Sequence, residues 1–336
     1  MKAPYCALLL LAASLSTAPA HAHHGVASLG AAGLEGPGAP VETSSSSTLP
    51  EGRWLAYLKV DHAKSQTGIV APPENDYNQY WMLGLGYGFR PWLSAYLFQP
   101  YNIKVDEGPG ATSSRGFTDV SLTGVVGFKY DDGFRLVPGN ESLDDLMDWH
   151  FTAYGGLSLA TGDANHVLSD GSIDPGKSLG FGKPSFNYGL TATRQFSDDA
   201  TAVFEFSQVF FQEYQYDAAP ASPVQTMKFS TETRLNAALS YRLMTRPESR
   251  FRLDGNLEAN FLRLGKDVAD GVPDDASGGD ILYAVVGVRL YQDAMSLGLA
   301  LKKPVWSDLN EPPGSPQQGA EGTEEYRFVA TFSALF

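Results

Sequence analysis

The sequence predicts an all-β chain that crosses a membrane as an antiparallel up-and-down β-barrel of about twelve strands. Three observations predict it: long runs in which every second side chain is apolar or aromatic, long loops that alternate with short turns, and a last strand that ends on Phe336.

The N-terminus sets the compartment. Lys2 precedes an apolar run from Ala7 to Leu15, and small residues follow at Ala18, Ala20 and Ala22. Residues 1–22 therefore read as a signal peptide cleaved after Ala20 or Ala22. The single cysteine, Cys6, lies in this leader, so a mature chain would have no thiol chemistry. Beyond the leader no stretch reaches the roughly 18 apolar residues of a spanning helix. The 35 glycines, 16 tyrosines and 19 phenylalanines suit strands and aromatic girdles, and a formal charge of −14 argues against nucleic acid as a partner.

Residues 23–52 are rich in Gly, Ala, Ser and Pro, include Ser44-Ser45-Ser46-Ser47, and have no periodicity. They are expected to form an irregular segment, with occupation of the barrel lumen and a disordered tail as the two readings of its composition. From Arg53 the period becomes two. Strands are expected near 53–63, 77–89, 93–104, 117–130, 148–160, 183–196, 201–215, 227–243, 250–263, 280–292, 294–304 and 324–336.

The clearest alternation runs from Phe251 to Arg263, where Phe251, Leu253, Leu257, Ala259 and Phe261 oppose Arg252, Asp254, Asn256, Glu258 and Asn260. Trp149, Phe151 and Ala153 oppose His150, Thr152 and Tyr154 in the same way. In the 227–243 run, Phe229, Leu235, Ala237, Leu239 and Tyr241 form the apolar face. Short turns at Arg90-Pro91-Trp92, 197–200, 245–249 and Asp293 alternate with longer loops near 64–76, 105–116, 161–182, 216–226, 264–279 and 305–323. Residues 131–147 break this rule, and Asn140-Glu141-Ser142 before Leu143, Leu146 and Met147 suggests a short capped helix. The aromatics of Tyr326 to Phe336 resemble the signature read by the barrel-assembly machinery of the bacterial outer membrane. A β-sandwich is the competing all-β architecture, but its strands are typically only about 5 or 6 residues long.

Trp81-Met82-Leu83-Gly84-Leu85-Gly86-Tyr87-Gly88-Phe89 running into Leu93-Ser94-Ala95-Tyr96, then Leu159-Ala160-Thr161-Gly162-Asp163, then Gly182 to Gly189 carry a resemblance to an outer-membrane family. That family is labelled putative MetA-pathway of phenol degradation proteins. Where it often has Pro before Thr-Gly-Asp, this chain has Ala160. The resemblance implies passage of small, aromatic or apolar solutes, and it supplies no catalytic residue.

The polar faces place Lys59, Asp61, Lys104, Asp119, Lys129, Glu205, Lys228, Glu232, Arg234, Arg242, Arg252, Asp254 and Glu258 toward the lumen. Lys228, Glu232 and Arg234 are expected opposite Asp254 and Glu258 as cross-strand ion pairs. Cleavage after Ala20 would start the mature chain His21-Ala22-His23-His24, in which a terminal amine, two amides and the His23 imidazole can ring Cu(II) or Ni(II). No other cofactor is indicated. Asp267, Asp270, Asp274, Asp275 and Asp280 could hold a hard cation such as Ca²⁺, or be solvated loop charge.

Three functions are carried forward. The first is an outer-membrane channel or transporter for a small-molecule solute, lipid-embedded and not an enzyme. The second is a sealed structural or metal-binding outer-membrane protein. The third is a lipid hydrolase, for which His150 and Thr152 are the nearest same-face imidazole and hydroxyl.

Overall fold

Period-two patterning becomes a closed wall. The structure, a computed structural model, describes residues 38–65, 76–106, 111–139, 147–310 and 324–336. Twelve antiparallel strands form the barrel: β1 (Trp54–Ser65), β2 (Tyr77–Arg90), β3 (Leu93–Val105), β4 (Ser121–Tyr130), β5 (Trp149–Ser158), β6 (Ser185–Gln195), β7 (Ala200–Phe210), β8 (Glu232–Arg246), β9 (Phe251–Leu264), β10 (Gly279–Gln292), β11 (Met295–Leu309) and β12 (Glu324–Leu335). Each pairs with its chain neighbours, and β1 closes the ring on β12 from Leu55↔Leu335 to Ser65↔Glu324. At the seam Trp54 N–H donates to the Phe336 carbonyl (2.9 Å) and Phe336 N–H donates to the Trp54 carbonyl (2.8 Å). Closure leaves no unpaired edge, which is what a sheet in hydrocarbon requires.

The alternation sorts side chains by solvent. On β9, Asp254, Asn256, Glu258 and Asn260 are buried inside while Leu257 is 58% exposed outside. Leu83, Leu97, Leu190, Phe204, Leu235, Val286, Leu301 and Phe328 extend the exposed apolar surface around the barrel. An apolar wall of this extent is stable against lipid and not against water.

One end carries tight turns. Residues 91–92 join β2 to β3, and Asp293, with φ 53°, turns β10 into β11. Both barrel termini lie at this end. At the other end the loops after β5, β7 and β9 fold together. Tyr214–Tyr216, Gln225–Lys228, Val268–Ala269 and Val272–Pro273 make a four-stranded sheet there. Phe211, Tyr216, Met227 and Phe229 form a buried cluster beside it, joined by Phe181.

Four expected strands differ, the 294–304 run by extending to Leu309. The 227–243 run begins at Glu232 and extends to Arg246, because Phe229 finds a dry site in the loop cluster instead of lipid. The 201–215 run stops at Phe210 for the same reason, with Phe211 buried in that cluster. The 117–130 run is split: Ser114–Phe117 pairs with the upper part of β3, and β4 starts only at Ser121. Residues 140–146 of the expected helix, the signal peptide and His21, His23 and His24 lie outside the described residues.

The lumen as candidate functional site

Residues 38–49 lie inside the barrel. Ala39, Val41 and residues 43–49 are buried, and their partners belong to inward faces around the whole ring. Gly38 N–H donates to Asp254 Oδ2 (3.0 Å) near the short-turn end. Higher in the lumen Val41, Glu42 and Thr43 N–H groups all donate to the Glu258 carboxylate (2.8, 3.0 and 2.7 Å), as does the Thr43 hydroxyl (2.7 Å). Ser44 N–H reaches Glu205 Oε2 (3.1 Å), and Ser46 N–H reaches Thr193 Oγ1 (2.9 Å). The chain then descends, with the Thr48 hydroxyl donating to the Pro91 carbonyl in the β2–β3 turn and Leu49 N–H donating to Ser94 Oγ (2.9 Å). The segment is a re-entrant loop that rises from the short-turn end, turns near residues 42–44 and returns.

Unpaired amides in a confined space demand acceptors, and the wall supplies them as the side-chain oxygens of Asp254, Glu205 and Glu258. Glu205 is itself held by Tyr154 Oη (2.7 Å) and Asn236 Nδ2 (2.9 Å). The Tyr154 ring lies over Gly189, where any Cβ would stand 2.3 Å from the ring. The loop's carbonyls are met by Arg289, which donates to Ala39 O (3.2 Å) and Pro40 O (2.7 Å). At the apex Glu42 pairs with Lys59 (2.6 Å) and Lys302 (3.0 Å), while Arg327 and Lys59 flank Asp61 at 3.3 and 3.6 Å.

The lumen wall is not uniformly polar. On β1 to β5 the inward residues Tyr57, Tyr80, Met82, Tyr96, Phe98 and Val125 form a continuous apolar cluster that Leu49 of the loop joins. Tyr96 and Phe98 face Gly86 and Gly84 across the β2–β3 pair. A Cβ at either glycine would fall within 2.8 Å of the opposing ring, so the glycines let the rings lie against the backbone. Above the loop apex a chamber of about 20 Å³ is lined by Asp61, Asn78, Tyr80, Asn102, Lys104 and Arg327. That is room for about one water.

The long-loop end narrows the mouth. Lys104 donates to the Gly176 carbonyl (2.5 Å), and Lys177 donates to the Thr112 carbonyl (3.0 Å) and pairs with Asp106. Asp119 sits in the break before β4 and accepts from Gly162 N–H (2.8 Å) and Phe181 N–H (3.0 Å), tying down both ends of the 161–182 loop. Burial raises its carboxyl above the ordinary carboxylate range, with backbone donors of Phe181, Gly162 and Thr161 opposing the shift.

The expected inward residues fall into three groups. Lys59, Asp61, Glu205, Glu232, Asp254 and Glu258 are buried on the wall with Arg234, Arg242 and Arg252 half-buried among them, and Lys129 is buried beside Asp148 (3.2 Å) near the short-turn end. Lys104 and Asp119 are buried but hold outer-loop backbone. Lys228 is exposed in the outer sheet, paired in register with Val268, and does not reach the lumen. The expected cross-strand opposition is also corrected. Glu258 faces Ala238 and Asp254 faces Arg242 in register, while Arg234 pairs with Glu232 and Arg252 with Asp254, each at 2.6 Å along one strand. Glu42, Arg289, Lys302 and Arg327 were missed. Arg327 shares strand parity with the polar Thr331 and Ser333, so parity was the available signal for it, whereas both faces of the strand that carries Arg289 are apolar and offered none.

The loop aspartates are engaged separately. Asp267 accepts from Ser230 N–H (2.7 Å), Asp270 from Thr226 N–H (2.7 Å), Asp274 from Ala276 N–H (3.0 Å), and Asp280 takes the Arg263 fork (2.8 Å). The Lys266 hydrogen bond holds Asp275 below the ordinary carboxylate range. Among the described residues no three metal-ligating side chains converge. His150 Nδ1 lies 3.1 Å from the Asp148 carbonyl, and the Thr152 hydroxyl bonds Thr191 Oγ1 (2.5 Å).

No family model matches the sequence. No curated protein matches it either. Among solved structures, an outer membrane channel from Pseudomonas putida F1 aligns over 87% of this chain and 98% of its own, with a TM-score of 0.64 at 14% identity. The beta domain of a Bordetella autotransporter aligns over 86% of this chain and 100% of its own, with a TM-score of 0.46 at 12% identity. The first likeness establishes a shared barrel fold; the second is too distant to add to it.

Proposed function

We propose that the protein is a channel for small solutes in the bacterial outer membrane, exported by a cleaved signal peptide and held shut by its own re-entrant loop. The observation that carries this reading is the anchoring of three successive loop amides on the single carboxylate of Glu258. Such a contact is specific and local, so the loop can leave as a unit while the barrel's ladder of strand pairs stays intact.

The solute class follows from the wall. With the loop withdrawn, the face of Tyr57, Tyr80, Met82, Tyr96 and Phe98 would stand opposite Glu205, Asn256 and Glu258. One apolar and one polar bank suit small amphipathic or aromatic solutes, which agrees with what the resemblance to the phenol-degradation family implies. The reading is of a transport protein and not an enzyme: His150 and Thr152 point their hydrogen bonds at Asp148 and Thr191. Deleting residues 26–48 and measuring uptake of a phenolic solute and of a sugar into liposomes tests it. Faster entry of the phenolic solute supports the proposal. No gain for either solute moves the reading to a sealed structural or binding protein.

A further inference from the structure

Lys303 points out of the barrel, into the wall's apolar face. It is exposed on β11 between the exposed residues Leu301 and Val305, while its neighbour Lys302 points inward to Glu42. Two other outward cations at this rim are compensated, Arg263 by Asp280 (2.8 Å) and Lys64 by Glu325 (3.1 Å). Among the described residues Lys303 has no such acid. A lysine facing hydrocarbon is tolerated near an interface, where its amine can rise to the headgroups. Trp306, exposed on the same strand and paired with Leu282, marks that interface.

The register places Lys303 at the head of a row of small residues. Lys303 pairs with Ala284, Ala284 with Ala259, and Ala259 with Ala237. Beyond Phe204 the row continues to Ala192. All face outward, and Ala259, Ala237 and Ala192 floor an external trough of about 480 Å³ walled by Leu190, Phe206 and Leu282. The row is oblique. Its upper end lies by Trp306 at the long-loop rim, and its lower end lies two residues from Arg194, which stacks on Trp149 (5.5 Å) at the short-turn rim. From Lys303 to Ala237 it crosses three strand spacings, about 14 Å, comparable with the roughly 15 Å depth of one leaflet.

We propose that this trough binds one acyl chain of an anionic, phosphate-bearing membrane lipid whose headgroup pairs with Lys303. Charge selects this occupant over a second copy of the chain. A phosphate completes the unpaired ammonium, whereas an apolar protein face would bury it uncompensated. The site is independent of what passes through the lumen.

Native mass spectrometry of the full chain, titrated with phosphatidylglycerol or phosphatidylcholine, tests it. The wild type should retain one phosphatidylglycerol with about fivefold preference over phosphatidylcholine. Lys303→Ala should abolish the preference and Lys303→Arg restore it, while Ala237→Phe, which fills the trough, should lower retention of both lipids. Equal retention by the wild type, or an unchanged preference in Lys303→Ala, overturns the proposal. A dimer mass that Ala237→Phe breaks overturns it in favour of self-association.

Discussion

Glu258 gathers three backbone amides and one hydroxyl of the loop onto its two oxygens. Buried hydrogen bonds contribute about 0.5–1.5 kcal/mol each, and leaving their donors unsatisfied costs about 1–3 kcal/mol. Glu258→Gln should therefore weaken loop docking by on the order of 2–3 kcal/mol and raise the frequency of channel openings in planar bilayers, with heat-modifiable gel mobility unchanged. One residue away the sign of the environment reverses. Leu257→Arg near the middle of the outer wall should cost on the order of 2–4 kcal/mol in urea titrations of refolded barrel, against less for Asn256→Ala. Alternation made both sides of this contrast legible before any coordinates, because a side chain on a strand has only two directions. Glu42 was not legible. It lies in a stretch without periodicity, and its role depends on Lys59 and Lys302, which lie 17 and 260 residues away in sequence.

Strand centres follow from period two, but strand ends depend on partners that periodicity cannot see. Phe229 reads as lipid-facing from its spacing, yet it is buried against Phe181 from another loop and Phe211 from the opposite end of its own. Asp119 reads as one more inward residue, but it interrupts its strand because Gly162 and Phe181 need an acceptor there. The 161–182 loop is thus fastened at both ends by one carboxylate. Asp119→Ala should free it, and protease added to intact cells should cut within residues 161–182 several-fold faster than in the wild type, with barrel mobility on gels preserved. Equal cleavage rates would assign the loop's position to the aromatic cluster instead.

At the scale of the molecule, closure of β1 on β12 places both barrel ends with the short turns, which gives the topology a direct test. Cysteines introduced at residues 92 and 198 should be shielded from an impermeant reagent in intact cells, whereas cysteines at 170 and 271 should react. Labelling of the first pair would invert the barrel. The central claim is that the re-entrant loop, and not the barrel wall, closes the lumen. Single-channel recording of the protein lacking residues 26–48 addresses it most directly, since the strand ladder and Phe336 are untouched. The account predicts a folded, heat-modifiable barrel whose conductance rises well above that of the full chain; a folded barrel that conducts no better would contradict it.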